Sequence, residues 1–179
     1  MRAVKRLCFI LFLYSVGLAA HADELKVGDI APTFKLEASD GNTYDLAFFQ
    51  GKRAVVIAWF PKAYTSGCTV ECKSLANKGH LIRKYDVAYF MASVDELADN
   101  KGFAEETGAD FPLLSDPSKA VAKAYGVLQP KGYAARQTFY IGIDGRILKI
   151  DDAINPETSA EDMAKNLKRL GVSRIDAAE

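Results

Sequence analysis

Two apolar runs in the middle of the chain predict buried β-strands. Residues 54–60 carry no polar side chain apart from the indole N–H of Trp59, and residues 87–94 form a second, largely apolar run. Runs of this length are typical of strands that are covered on both faces of a sheet. Pro61 ends the first run, because proline lacks the backbone N–H that a central strand needs. We therefore expect residues 54–60 to form a central strand.

Alternating apolar and polar residues predict a β-hairpin near the N-terminus. Residues 34–36 and 43–46 alternate in this way, and they flank the turn sequence Asp40-Gly41-Asn42. Alternation on both sides of such a turn is typical of a hairpin. Asp144-Gly145 is a second strong turn sequence. The other predicted strands are a short strand at residues 111–114 and a closing hairpin at residues 138–143 and 146–150.

Helical segments are expected between and after these strands. They are predicted at residues 66–85, 95–107, 118–125 and 156–170, and Gly171 ends the last of them. Strands that alternate with helices and then close in a hairpin and a helix predict an α/β protein. The expected architecture is a thioredoxin-like fold, with a central mixed sheet flanked by helices and an N-terminal β-hairpin. Residues 23–179 contain no linker or repeat, so one domain is predicted there.

The first 22 residues have the pattern of a secretory signal peptide. A basic start is followed by an apolar run at residues 7–20, which is shorter than the roughly 20 residues of a membrane-spanning helix. The run ends in Ala20-His21-Ala22, a typical cleavage sequence. Residues 1–22 are therefore predicted to be removed and the protein to be exported, with a periplasmic location. The alternative is a retained N-terminal anchor.

Composition and charge exclude several classes of protein. The 179 residues include 23 basic and 23 acidic side chains, so the protein lacks the positive charge that nucleic-acid binding requires. Loss of the leader would remove Cys8 and His21 and would leave a net charge of −3. Two cysteines, Cys68 and Cys72, and a single histidine, His80, would remain. Neither a disulfide-stapled miniprotein nor a multi-histidine metal site fits these numbers, and no membrane association is expected after cleavage.

Cys68 lies where a thiolate would be favoured. It follows the predicted central strand and falls in the first turn of the next predicted helix. Free backbone N–H groups and the positive end of the helix dipole favour an anion at such a position, and the thiolate is the reactive form of cysteine. Taken alone, a cysteine near a helix start is more often a small core residue than a nucleophile.

The residues around Cys68 resemble the active-site motif of the peroxiredoxins. Pro61, Thr65 and Cys68 form the pattern P-x-x-x-T-x-x-C, and Arg136 begins an R-x-T-F sequence like the one found at the start of a strand in that family. Residues 27–36 also have the look of that family's opening segment. The resemblance covers about residues 25–171 and is greatest to the bacterioferritin-comigratory branch.

The resemblance implies a role for each matched residue. Cys68 would be the peroxidatic cysteine, which attacks the O–O bond and becomes a sulfenic acid. The Thr65 hydroxyl would form hydrogen bonds with the thiolate and with the incoming peroxide. Arg136 would stabilise the thiolate and the departing oxygen, and Glu71 would orient Arg136 through a salt bridge. Pro61 would shield the site from water. From local sequence alone, Thr65 also fits a helix N-cap and Arg136 a solvated charge at the end of a strand.

Cys72 departs from the pattern of the bacterioferritin-comigratory branch, in which the resolving cysteine usually lies five residues after the peroxidatic one. Lys73 occupies that position here, and Cys72 is four residues on. In an intact helix, residues four apart have Cβ atoms about 5–6 Å apart, whereas a disulfide needs about 3.8 Å. A resolving Cys72 would therefore require the first helical turn to unwind. The alternative is a one-cysteine enzyme.

Two other readings compete with a peroxidase. A copper-delivery protein of the Sco type has a similar fold and a C-x-x-x-C pair, but it also needs a distal histidine, and no histidine follows His80. A non-catalytic thioredoxin-like interaction module is the other alternative. Because the Cys68 motif and Arg136 occur together, the favoured hypothesis is an exported thiol peroxidase.

The expected substrate is hydrogen peroxide or a small organic hydroperoxide. No metal, haem or flavin is expected, because the two electrons come from Cys68 and then from an external thiol. The resemblance implies a thioredoxin-like protein as the reductant, and a small thiol is the alternative. The expected assembly is a monomer or a homodimer.

Overall fold

A computed structural model describes residues 24–175, and the predicted signal peptide at residues 1–22 lies outside them. Within this range the strands are β1 (Lys35–Ala38), β2 (Thr43–Asp45), β3 (Ala54–Trp59), β4 (Val87–Ser93), β5 (Leu113–Ser115), β6 (Gln137–Ile141) and β7 (Ile147–Asp151). The helices are α1 (Leu46–Phe49), α2 (Ser66–Lys78), α3 (Leu97–Thr107), α4 (Ala120–Ala124) and α5 (Ser159–Arg169). Short 3-10 turns, Gly79–Leu81 and Pro156–Thr158, follow α2 and precede α5.

The strands form a single mixed sheet in the order β2-β1-β5-β4-β3-β6-β7. β3 pairs in parallel with β4, and β4 in parallel with β5, whereas the other neighbours are antiparallel. The predicted mixed sheet flanked by helices is confirmed, as is the N-terminal hairpin, in which Gly41 takes the left-handed conformation that its turn requires (φ +83°).

β3 lies at the centre of two hydrophobic cores, which explains its lack of charged residues. All six of its residues are buried. Because side chains alternate along a strand, Val56 and Ala58 belong to one core, while Val55, Ile57 and Trp59 belong to the other. The first core includes residues of α2, α3 and α5. The second core includes residues of α1 and α4. The sheet is thus covered on both faces.

Several predicted boundaries differ from those of the structure. The helix predicted at residues 66–85 ends at Lys78. The next residue, Gly79, lies against the Tyr89 side chain. A Cβ atom at residue 79 would lie only 2.7 Å from the Tyr89 hydroxyl, so a larger residue here would force neighbouring atoms to move. The helix predicted from residue 156 starts as a 3-10 turn, and α5 begins at Ser159. Helix α1 was not predicted. It starts where the Asp45 carboxylate accepts a hydrogen bond from the N–H of Ala47.

The register of the sheet brings distant segments together at one edge. Trp59, the last residue of β3, pairs with Ala92 of β4 on one side and with Gln137 of β6 on the other. Because β6 runs antiparallel to β3, the chain leaving β3 and the chain entering β6 meet at the same edge. The loop that begins at Phe60 therefore lies beside Arg136. None of the helices among residues 24–175 is long and apolar enough to cross a membrane.

Helix α3 is attached to this edge by a buried asparagine. The Asn100 amide is fully buried and donates to the Ser115 hydroxyl (2.8 Å), the Ser93 hydroxyl (3.1 Å) and the Leu114 carbonyl (3.2 Å). One side chain thus ties α3 to the ends of β4 and β5. Loss of the amide would remove these buried hydrogen bonds, at a cost typical of buried polar groups.

We expect Asn100→Ala to lower the free energy of unfolding by about 2–4 kcal/mol. Urea denaturation monitored by circular dichroism measures this change. Asn77→Ala is the matched control, because Asn77 is an exposed asparagine on α2, and its replacement is expected to change stability by less than about 0.5 kcal/mol. Equal unfolding midpoints for the two variants would contradict an anchoring role for Asn100.

Candidate active site

The loop between β3 and α2 is fixed against α3 and the residues before it. The backbone N–H of Ala63 donates to the Asp95 carboxylate at 2.9 Å. Tyr64 has a left-handed backbone (φ +64°), which is costly for a residue other than glycine. Its hydroxyl donates to the Asp99 carbonyl at 3.1 Å, and its ring packs on Phe103 with centroids 5.4 Å apart. These contacts hold the loop in one conformation.

Cys68 is buried in the first turn of α2 and accepts a hydrogen bond from Arg136. Only 1% of Cys68 is exposed, and Arg136 Nη2 donates to its Sγ atom at 3.2 Å. The two residues that the sequence places 68 positions apart are thus in direct contact. Gly67 allows this approach, because a Cβ atom at residue 67 would lie 3.3 Å from Arg136 Nη2. A guanidinium and the N-terminal end of a helix thus both place positive charge beside the Cys68 sulfur.

Glu71 holds Arg136 in place from the same helix. Its side chain is fully buried, and its Oε2 atom accepts a hydrogen bond from Arg136 Nη1 in the ion pair that the resemblance implied. Glu71 and Cys68 are three residues apart and therefore share one face of α2. The planar guanidinium spans both, with one nitrogen on the carboxylate and the other on the sulfur. The second carboxylate oxygen accepts from the Ser159 hydroxyl at 3.3 Å.

Thr65 and Pro61 border the site on the solvent side. Thr65 is exposed and occupies the N-cap position of α2, but its side chain makes no capping bond. Its hydroxyl donates instead to the Lys62 carbonyl at 2.9 Å. The hydrogen bond from Thr65 to Cys68 that the resemblance implied is therefore not present in this conformation, because the hydroxyl hydrogen is committed to Lys62. Pro61 is half-buried at the start of the loop.

Cys72 lies beneath the site and is held as a thiol. It is fully buried, and its Sγ atom lies 3.1 Å from the Thr107 hydroxyl. Because that hydroxyl donates to the Phe103 carbonyl at 2.6 Å, its hydrogen is committed and Cys72 is the donor in the contact. Burial raises the pKa of Cys72 to about 11. Cys72 and Cys68 are both free thiols on an unbroken helix.

Several residues of the site were not singled out from sequence. Tyr64, Asp95, Thr107 and Ser159 all contact the active-site loop or the helix that carries Cys68. Only Tyr64 lies inside the recognised motif, and nothing in its local sequence indicates a left-handed conformation. The others lie 32 to 88 residues away from their partners, so no local pattern connects them.

Comparison with known proteins identifies the class of enzyme. Residues 27–150 match the AhpC/TSA family. The chain is 36% identical over 135 residues to Peroxiredoxin Bcp of Escherichia coli, an alignment covering 72% of this chain and 86% of that protein. It is 35% identical over 126 residues to alkyl hydroperoxide reductase E of Mycobacterium bovis, covering 69% and 82% of the two chains.

Solved structures agree with the sequence relatives. Peroxidoxin BcpB from Mycobacterium tuberculosis superimposes with a TM-score of 0.73 and 26% identity, covering 81% of this chain and 97% of that chain. The reduced 2-Cys peroxiredoxin of Plasmodium vivax gives a TM-score of 0.72 and 25% identity, with coverage of 81% and 96%. The chain belongs to the AhpC/TSA family and is a peroxiredoxin, a peroxidase with a thioredoxin-like fold. The copper-delivery alternative is not favoured.

Replacing Arg136 with lysine is expected to slow the alkylation of Cys68 by iodoacetamide at pH 7. An ammonium on a flexible stem cannot hold Glu71 and the sulfur at once as the guanidinium fork does. Loss of a charge-assisted hydrogen bond worth about 1.5–3 kcal/mol corresponds to a decrease of about 10-fold or more. The rate is measured by mass spectrometry in a Cys72→Ser background, where the active-site peptide has a single thiol.

Arg169→Lys is the matched control, since Arg169 is an exposed arginine at the end of α5. It is expected to keep the alkylation rate of the parent. If Arg136→Lys reacts as fast as this control, the contact between Arg136 and Cys68 does not govern the reactivity of the thiol.

Proposed function

We propose that this peroxidase reduces hydrogen peroxide and small organic hydroperoxides through a sulfenic acid on Cys68. The observation that carries the proposal is the 3.2 Å hydrogen bond from Arg136 Nη2 to Cys68 Sγ, made at the N-terminal turn of a helix. Two sources of positive potential thus converge on one sulfur atom. Relatives named peroxiredoxin and alkyl hydroperoxide reductase support the same chemistry.

In the first step, the Cys68 thiolate attacks the terminal oxygen of the peroxide. An S–O bond forms as the O–O bond breaks, so the sulfur is oxidised by two electrons and the peroxide is reduced to water or an alcohol. The departing oxygen takes up a proton. Arg136 stabilises the negative charge as it moves from sulfur to that oxygen. Thr65 lies on the exposed side of the site. Its hydroxyl would break its hydrogen bond to the Lys62 carbonyl and form one to the peroxide instead.

In the second step, Cys72 would resolve the sulfenic acid. Its sulfur attacks Cys68, a disulfide forms, and the hydroxyl leaves as water. The first turn of α2 must open for this, because residues four apart in a helix are too distant for a disulfide. The hydrogen bond between Cys72 and the Thr107 hydroxyl must also break. A thioredoxin-like dithiol or a small thiol would then reduce the disulfide and become oxidised itself. The assembly would be a monomer or a homodimer.

We also propose that the protein works outside the cytoplasm, in the periplasm, after removal of residues 1–22. The support is the sequence of the leader, with its basic start, apolar run and Ala20-His21-Ala22 cleavage pattern. N-terminal sequencing of the protein from a periplasmic fraction is expected to begin at Asp23. A chain that retains its leader in the membrane fraction would favour the anchor alternative.

Cys68→Ser is expected to abolish the rapid reaction with hydrogen peroxide. Trp59, the single tryptophan, lies at the end of β3 next to the active-site loop, so its fluorescence in stopped flow can follow the reaction. The parent is expected to react at least about 100-fold faster than a free thiol, which corresponds to a barrier lower by about 2.7 kcal/mol. A parent no faster than the free thiol would contradict a peroxidase function.

The pH dependence of disulfide formation is expected to show that α2 opens before Cys72 reacts. In the closed helix, burial raises the pKa of Cys72 to about 11, whereas an exposed thiol titrates near about 8.5. If opening comes first, the rate should rise with pH and level off above about 8.5. The disulfide is quantified by mass spectrometry after one equivalent of peroxide.

A rate that keeps rising toward pH 11 would contradict opening before attack. Cys72→Ser provides the control, because it is expected to accumulate a sulfenic acid that dimedone traps. A parent in which dimedone also traps Cys68 and no Cys68–Cys72 disulfide appears would favour the one-cysteine alternative.

A further inference from the structure

Glu71 is held by two donors, and only one of them belongs to the motif shared with the peroxiredoxins. Its Oε2 atom accepts from Arg136, and its Oε1 atom accepts from the Ser159 hydroxyl at 3.3 Å. We propose that Ser159 positions Arg136 beside Cys68 by fixing the orientation of the Glu71 carboxylate. This inference rests on the proposed function, in which Arg136 activates the Cys68 sulfur.

The contacts form a continuous chain from α5 to the reactive sulfur. The Ser159 hydroxyl donates to one carboxylate oxygen, the other oxygen accepts from Arg136 Nη1, and Arg136 Nη2 donates to Cys68 Sγ at 3.2 Å. Each oxygen of the fully buried carboxylate thus has a different donor. With both oxygens assigned, the plane of the carboxylate is determined, and so is the direction from which the guanidinium approaches.

The position of Ser159 is itself determined by packing. It is the first residue of α5 and is 5% exposed. The start of α5 is attached to α2 by Ser74, whose hydroxyl donates to the Glu157 carbonyl (3.2 Å) and accepts from the Ala160 N–H (3.4 Å). The helix also contributes Met163 and other apolar residues to the core that contains Cys68. Its positive N-terminal end favours the nearby carboxylate.

Without the Ser159 hydroxyl, the carboxylate would lose this constraint. The terminal torsion of a glutamate side chain has a broad energy profile, and a carboxylate prefers to bind a guanidinium with both oxygens. Rotation of Glu71 into such a bidentate pair would draw Arg136 Nη2 away from Cys68. The sulfur would then lose the donor that stabilises its negative charge, and a smaller fraction of it would be thiolate at a given pH.

The test compares Ser159→Thr with Ser159→Val, which have nearly the same shape and differ in the hydroxyl. Both are made in the full chain with Cys8→Ser and Cys72→Ser, so that Cys68 is the single thiol. The readouts are the pH at which alkylation by iodoacetamide is half-maximal and the rate with hydrogen peroxide at pH 7. Among residues 24–175, Arg136 contacts the Cys68 sulfur directly, and Glu71 contacts Arg136.

Ser159→Val is expected to move the alkylation midpoint upward by about one pH unit and to slow the peroxide reaction about 10-fold, the loss that one weakened hydrogen bond to a charged group produces. Ser159→Thr is expected to retain both parental values. Lys78→Ala is the matched control for the docking of α5. It removes the ion pair with Glu161 between α2 and α5 but no contact of Ser159 or Glu71, so it should leave the alkylation midpoint at the parental value.

Ser159→Val with the parental midpoint and rate would overturn the inference, as would Lys78→Ala moving the alkylation midpoint as far as Ser159→Val does. Failure of the proposed function has a different result. In that case the parent reacts with peroxide no faster than a free thiol, while the shift in the alkylation midpoint between the threonine and valine variants still reports the positioning of Arg136.

Discussion

The ion pair between Arg136 and the buried carboxylate of Glu71 is the interaction on which the site depends. Moving a carboxylate away from water costs several kcal/mol, and only a well-placed cation and further hydrogen bonds offset that cost. Glu71 is fully buried, so it requires Arg136 on one oxygen and Ser159 on the other. Because the guanidinium is rigid and planar, fixing one of its nitrogens on Glu71 also fixes the nitrogen that donates to Cys68.

This ion pair depends in turn on the topology of the sheet. Arg136 precedes β6, and Glu71 and Cys68 lie on the helix that follows β3. The two segments meet because β3 and β6 are antiparallel neighbours, with Trp59 opposite Gln137. A slip of one residue in this pairing would turn every side chain of β6 to the opposite face and would separate the guanidinium from the helix. The two hydrophobic cores on either face of β3 therefore stabilise the geometry of the site as well as the fold.

The sequence predicts the features whose cause is local. The apolar run of β3 and the turn at Asp40-Gly41-Asn42 follow from neighbouring residues, and both agree with the structure. The contact between Arg136 and Cys68 was expected only through the resemblance to a family. The contact between Ser159 and Glu71 joins positions 88 residues apart, so no periodicity or spacing indicates it. The bond of the Thr65 hydroxyl to Lys62 likewise depends on the path of the loop, which tertiary contacts to α3 determine.

The same helix places its two cysteines in different environments. Cys68 lies at the positive end of α2 with a guanidinium on its sulfur, whereas one turn further on Cys72 is buried among apolar side chains and donates its hydrogen to Thr107. In the proposed mechanism, a neutral thiol at Cys72 does not compete for peroxide, so oxidation would be directed to Cys68. The contacts that keep Cys72 inert also close the helix, because Thr107 belongs to α3 and α3 holds the active-site loop through Tyr64. In the proposed mechanism, oxidation and resolution therefore require different conformations of one helical turn, and α3 is the element that would have to release α2 between them.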